Sequence, residues 1–135
     1  MFSHPIQVRY LEVGQQGVVF NMWYLAYFDD AMTAFLAHNG LGYGAMLAAG
    51  FDVQLVHVDI DWSAGVRFGE PLVVEVRLVR RGATSFTLGF GVRRNGESCA
   101  EAKIVYVCVA TDGSGKRTLP ELLAKGLGSA DSDAA

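Results

Sequence analysis

The stretch from Asn21 to Gly40 constrains the fold more than any other part of the chain. It reads Met22-Trp23-Tyr24-Leu25-Ala26-Tyr27-Phe28, then Asp29-Asp30-Ala31-Met32-Thr33-Ala34-Phe35-Leu36-Ala37-His38. Asn21 suits a helix N-cap and Gly40 a helix stop. A helix of roughly 17 residues at 1.5 Å each would be about 26 Å long. Apolar side chains fill almost its whole circumference, with Asp29, Asp30 and Thr33 gathered on one narrow stripe. Such a helix is expected to be wrapped on several sides.

The rest of the chain supplies the wrapping. Ile6, Val8 and Tyr10 alternate with Gln7 and Arg9, as in a strand with one buried face, and Pro5 suits a strand start or an edge. Val13 to Gly17 reads as a loop, and Gly42 to Leu47 as a short helical piece or irregular connection. Four period-two runs follow: Val53 to Trp62 with His57 on the Val53–Leu55 face, Leu72 to Leu78, Phe86 to Val92, and Ala100 to Cys108. Asn95-Gly96 is a strong hairpin signal, and Arg80 to Thr84 reads as another tight connection. Leu119 to Leu127 has room for a last helical turn or two, and 128–135 reads as a frayed tail. The expectation is an α+β domain over 1–127, a long helix against about five antiparallel strands. One helix covers one face of a sheet, so a helix this apolar implies a partner chain and an obligate homo-oligomer.

Composition narrows the function. Of 135 residues, 51% are hydrophobic and 19% charged, which excludes disorder. Eleven Lys and Arg against fourteen Asp and Glu give a net charge of -3, which argues against nucleic acid. No apolar run reaches the ~18 residues of a membrane span, because Asp29-Asp30 breaks the longest one, and the start lacks a signal-peptide pattern. Cys99 and Cys108, in one strand, would lie roughly 30 Å apart at ~3.3 Å per residue, beyond disulfide reach. They read as reduced thiols of a soluble cytoplasmic protein. No Cys/His cluster has metal spacing, and no Gly-x-Ser-x-Gly elbow is present.

Three segments carry a resemblance when taken in order. Val8 to Leu25 contains Arg9, Glu12, Gly14, Gly17-Val18, Asn21 and Tyr24-Leu25; Asp61-Trp62 is followed by Phe68-Gly69-Glu70-Pro71-Leu72; and Arg80-Arg81-Gly82-Ala83-Thr84-Ser85-Phe86 comes third. Together, from about Val8 to Leu123, they resemble the hotdog-fold acyl thioesterases of the 4-hydroxybenzoyl-CoA thioesterase-like branch. The resemblance implies a curved sheet wrapped round the long helix, protomers paired edge to edge as a homodimer or tetramer, and active sites between protomers near the helix N-terminus. It implies hydrolysis of an acyl-CoA or acyl-carrier-protein thioester, with coenzyme A or phosphopantetheine entering as part of the substrate, and no separate cofactor, metal, nucleic acid or membrane.

The same resemblance marks the site residues. The backbone N–H of Asn21 would polarise the thioester carbonyl. The family's usual acid falls on Gly14, which has no side chain to act as base or nucleophile. Glu12, Gln16 and Asp29 are therefore the candidates to direct water, beside Asn21. Glu12 also reads as a structural carboxylate holding the loop's amides, Gln16 as a solvated loop residue, and Asp29 or Asp30 as a partner for Arg9, Arg67 or an arginine of another copy. Gly14, Gly17, Tyr24, Arg80, Arg81 and Ser85 are the candidate substrate contacts, with Arg80 and Arg81 suited to phosphate. His57 reads as a core or interface histidine. Because Gly14 removes the acid, a non-catalytic acyl-thioester-binding protein of the same fold is the alternative. Enoyl-thioester hydration ranks below both, since no His/Asp pair for it is evident.

Overall fold

The period-two runs become one antiparallel sheet in the computed structural model, which describes residues 1–128. Strands β1 (Phe2–Gln7), β2 (Phe51–Trp62), β3 (Pro71–Arg81), β4 (Ser85–Arg94) and β5 (Glu97–Ala110) stand in the order β1-β3-β4-β5-β2, and a short β6 (Gly115–Lys116) pairs with β5. The expected five-strand hotdog arrangement is what the chain adopts, with β6 as a small addition. Leu72, Val74, Val76 and Leu78 of β3 face Phe86, Leu88, Phe90 and Val92 of β4, and Ala100 to Cys108 of β5 complete the buried inner face. Asn95 and Gly96, at φ 51° and 82°, make the tight β4–β5 turn that the sequence signalled.

Against this face lies α1 (Trp23–His38), followed by α2 (Tyr43–Ala48) and, near the C-terminus, α3 (Glu121–Leu127). The helix presents Tyr24, Tyr27, Phe28, Ala31, Met32, Phe35 and Leu36 to the sheet, an i, i+3, i+4 progression. Within one chain it is not wrapped on several sides as expected. Leu25, Ala26, Asp29, Asp30 and Thr33 face outward. The composition misleads because alanines and one leucine, cheap to expose, fill the outer face.

Two local expectations are corrected. The first strand ends at Gln7, and Tyr10–Glu12 forms a 3-10 turn instead of continuing it. In β2 a bulge at Val56 interrupts the register: Leu55 pairs with Tyr106 but His57 pairs with Val105. The extra residue turns His57 to the outer face, opposite Leu55, where it is exposed, not a core histidine. Of the tail, only Gly128 lies within the described residues; it receives a 3.5 Å contact from Arg81. None of the described helices is long and apolar enough to cross a membrane.

Candidate active site

The segment read as a loop before α1 is a small pinned hairpin. Val13 bridges Val19, and the Gly14 amide donates to Val18 O at 2.9 Å. The Gly17 amide donates to Gly14 O at 3.0 Å, and Gly17, at φ 80°, supplies the left-handed turn. The Val19 amide reaches Val66 O at 2.8 Å. Gly65 permits that approach, since a Cβ there would sit 2.7 Å from Val18 Cγ1. Valines flanking Gly-Gln-Gln-Gly were the overlooked signal for this hairpin.

The hairpin delivers the chain to α1 in a tight turn. The Phe20 amide donates to Glu12 O, Trp23 to Phe20 O, Tyr24 to Asn21 O and Leu25 to Met22 O. The last three, i to i−3, close the first turn, and the Phe20 bond ties it to the hairpin base. Asn21 is not the side-chain cap that the sequence suggests: the helix starts at Trp23, Met22 holds the cap position, and no side chain caps it. Among the described residues, the amides of Asn21 and Met22 have no acceptor. They lie at the positive end of a 16-residue helix. Beside them Gly14, Gln15, Gln16, Val18, Val19, Phe20 and Asn21 line a hollow. Phe20, 53% exposed, gives it an apolar lip.

Glu12 is turned away from that hollow. It is 3% exposed and accepts from the Arg9 amide at 2.9 Å, from Arg9 Nε at 2.7 Å and from the Tyr27 hydroxyl at 2.7 Å. Burial pushes its carboxyl up, but the Arg9 amide, the Tyr27 hydroxyl and the Arg9 guanidinium together hold it below its ordinary range. Burial and the Glu12 carboxylate in turn raise Tyr27. The carboxylate therefore ties the 3-10 turn to the helix and lines a different hollow from Gln16, which is exposed at the hairpin tip.

The other candidates separate. Tyr24 is 1% exposed and packs edge-on against Trp62 at 5.8 Å, so within one protomer it is part of the core. Asp29 sits seven residues beyond Met22, roughly 10 Å along the helix, in a different hollow. Among the described residues the expected arginine pairing does not occur for either helix acid: Asp30 bonds His4 Nε2 at 3.1 Å, and Arg9 is taken by Glu12. Arg80, Arg81 and Ser85 lie at the opposite end of β3 from the hairpin, about 30 Å away at ~3.3 Å per residue. There Arg81 donates to Ala124 O at 3.0 Å. The structure thus brings Gly14, Gln16 and Asn21 together, with Gly17 at the turn beside them, and leaves the rest apart within one protomer.

Comparison with known proteins bears on the fold and the family. The chain is 25% identical over 123 residues to the acyl-CoA thioester hydrolase YbgC of Escherichia coli O6:H1, covering 90% of this chain and 91% of that one. A hypothetical protein from Thermus thermophilus superposes with a TM-score of 0.87 at 30% identity, over 93% of this chain and 95% of that one. Another, from Aquifex aeolicus, superposes at 0.90 and 22%, over 95% and 100%. The model of the thioesterase-like superfamily matches residues 8–127. The chain belongs to that superfamily.

Proposed function

We propose that the chain hydrolyses acyl thioesters, of coenzyme A or of a carrier protein's phosphopantetheine, in the hollow beside Asn21. The observation that carries this is the pair of amides, Asn21 and Met22, left without acceptors at the start of α1. A thioester carbonyl oxygen placed there accepts both N–H groups, and the negative charge that develops on it as water attacks meets the positive helix end. Water adds to the carbonyl carbon. The tetrahedral intermediate then collapses with cleavage of the C–S bond, releasing the thiolate, which takes up a proton, and the free acid. Gly14 supplies no base, so Gln16 orients the water by hydrogen bonding without deprotonating it. Glu12 acts as a positioning residue: it fixes the hairpin base and Tyr27, and through them the two amides.

Pairing of two copies completes the site in this reading. Among the described residues the outer edge of β2 has no strand beside it, with Leu55 and Val56 45% and 55% exposed. Its Trp62 end marks the helix start, and its Phe51 end lies at the sheet end that carries Arg80, Arg81 and Ser85. Antiparallel pairing of two such edges sets these ends side by side. It brings Arg80 and Arg81 of one copy towards the Asn21 hollow of the other, where they would meet the substrate's phosphates. A dimer built this way, or a tetramer of such dimers, also shields the outer face of α1.

Thiol release from a panel of acyl-CoA and acyl-carrier-protein thioesters tests the reaction. Turnover above the uncatalysed rate is expected. Gly14 favours a second reading, a non-catalytic binder, and tight binding with no thiol release would establish that one instead.

A further inference from the structure

The outer face of the sheet, turned away from α1, carries its charges in two rows that run across the strands. Strand register sets Glu75, Gly91 and Glu101 side by side in one row, with Asp61 at its β2 end. It sets Arg77, Gly89 and Lys103 in the next, with Asp59 at the same end. These residues share one shallow hollow, and the rows lie two residues apart along each strand, roughly 7 Å. Arg93 reaches into the first row, where it bonds Glu75 at 3.1 Å and also Glu101. In the second row Arg77 and Lys103 have no ion pair among the described residues.

A second feature lies at the middle of both rows. Gly89 and Gly91 are on β4, the central strand of the order β1-β3-β4-β5-β2, where glycine weakens strand pairing. A Cβ on Gly89 would lie 2.9 Å from Arg77 Cζ, and one on Gly91 2.8 Å from Arg93 Nη2. Both guanidinium groups are therefore pressed down onto bare backbone. An arginine that only faces water needs no such recess. Two of them recessed side by side leave a level surface that another backbone can approach closely.

The charge pattern is its own complement. Half a turn about an axis running across the strands, between the two glycines, lays the acidic row of one copy over the basic row of another. Arg77 of each copy then faces Glu75 of the other, and Lys103 faces Glu101, so that every contact occurs twice. The sheet curls round α1, so this face is convex and two copies touch over β3, β4 and β5. Asp59 and Asp61 stand on the marginal strand β2, where two convex faces diverge.

We propose that this face pairs with the same face of a second copy, back to back, held by opposite charges. The contact goes beyond the thioesterase reading and does not depend on it. It is also separate from the β2 edge, and doubles whatever unit edge pairing provides.

Sedimentation velocity of the full chain tests it at about 10 mM and about 1 M sodium chloride, between which the Debye length falls from ~30 Å to ~3 Å. The low-salt particle is expected to have twice the mass of the high-salt one. Arg77→Glu sets like charges together at both symmetry-related contacts and should weaken the pairing about 100-fold, giving the high-salt particle at low salt. Glu75→Arg combined with Arg77→Glu restores opposite signs and should recover the larger particle. Circular dichroism checks that each variant folds. One mass at both salts, a larger particle that survives Arg77→Glu, or a charge exchange that recovers nothing overturns the proposal. A low-salt dimer that becomes a monomer at high salt supports this contact and removes the edge pairing.

Discussion

Removing the Glu12 carboxylate separates a structural role from a catalytic one. In Glu12→Ala the buried Tyr27 hydroxyl loses its acceptor, a desolvation penalty of about 1–3 kcal/mol. The Arg9 side chain is 61% exposed, so water and salt screen its contribution to about 0.5 kcal/mol. The Arg9 amide can rehydrate, and the expected loss is about 1.5–3.5 kcal/mol in all. Tyr27→Phe removes the donor but leaves Glu12 with the Arg9 amide, and should cost about 1 kcal/mol. Because the two residues share one hydrogen bond, the double variant should lose less than the sum. Urea unfolding followed by circular dichroism, at one protein concentration, measures all four proteins. The pH dependence has a definite sign. Glu12 has a folded pKa below the ordinary 4.5, so its ionised form stabilises the protein at neutral pH. That contribution fades as pH falls below 4.5 through the folded value, and the gap between wild type and Glu12→Gln should narrow there. Thiol release by Glu12→Gln should stay within a few-fold of wild type at temperatures where it is folded. Unchanged stability together with abolished turnover would refute this reasoning and make Glu12 the base.

Gly14→Asp should fold, because its φ is not in the left-handed region and a Cβ there meets Phe20 Cδ1 at an ordinary 3.8 Å. It sets a carboxylate beside the hollow, and a positioned general base should raise kcat by about 10²-fold or more; steady-state thiol release checks this. Val56→Lys puts a charge on the unpaired β2 edge and should shift sedimentation towards the monomer, with little change in the far-ultraviolet spectrum.

Sequence periodicity revealed most of this architecture because the inner face of the sheet is nearly uniform in character. Leu72 to Leu78 and Phe86 to Val92 alternate without interruption, and both became strands with the expected side buried. The failures share a cause: a local hydrogen bond, or one inserted residue, overrode the pattern. The bulge at Val56 turned His57 outward although its spacing from Leu55 is that of one face. The 3-10 turn at Tyr10–Glu12 ended a strand whose alternation ran on, because Glu12 gains three hydrogen bonds by turning in.

The candidate site was legible where it depends on backbone. Gly14, Gln16 and Asn21 are close in sequence and the hairpin keeps them so. It was less legible where it depends on distance in the fold. Arg80 and Arg81 stand far from Asn21 in one protomer. Helix composition showed that α1 is apolar overall, but only the structure shows which stripe is left facing outward.

The most direct test of the central claim watches the two amides themselves. In ¹⁵N-labelled protein titrated with an octanoyl ketone analogue of coenzyme A, a methylene replacing the thioester sulfur, the Asn21 and Met22 N–H resonances should move downfield and become protected from solvent exchange. Saturable binding that leaves both resonances unmoved, with the shifts clustered elsewhere, would contradict it.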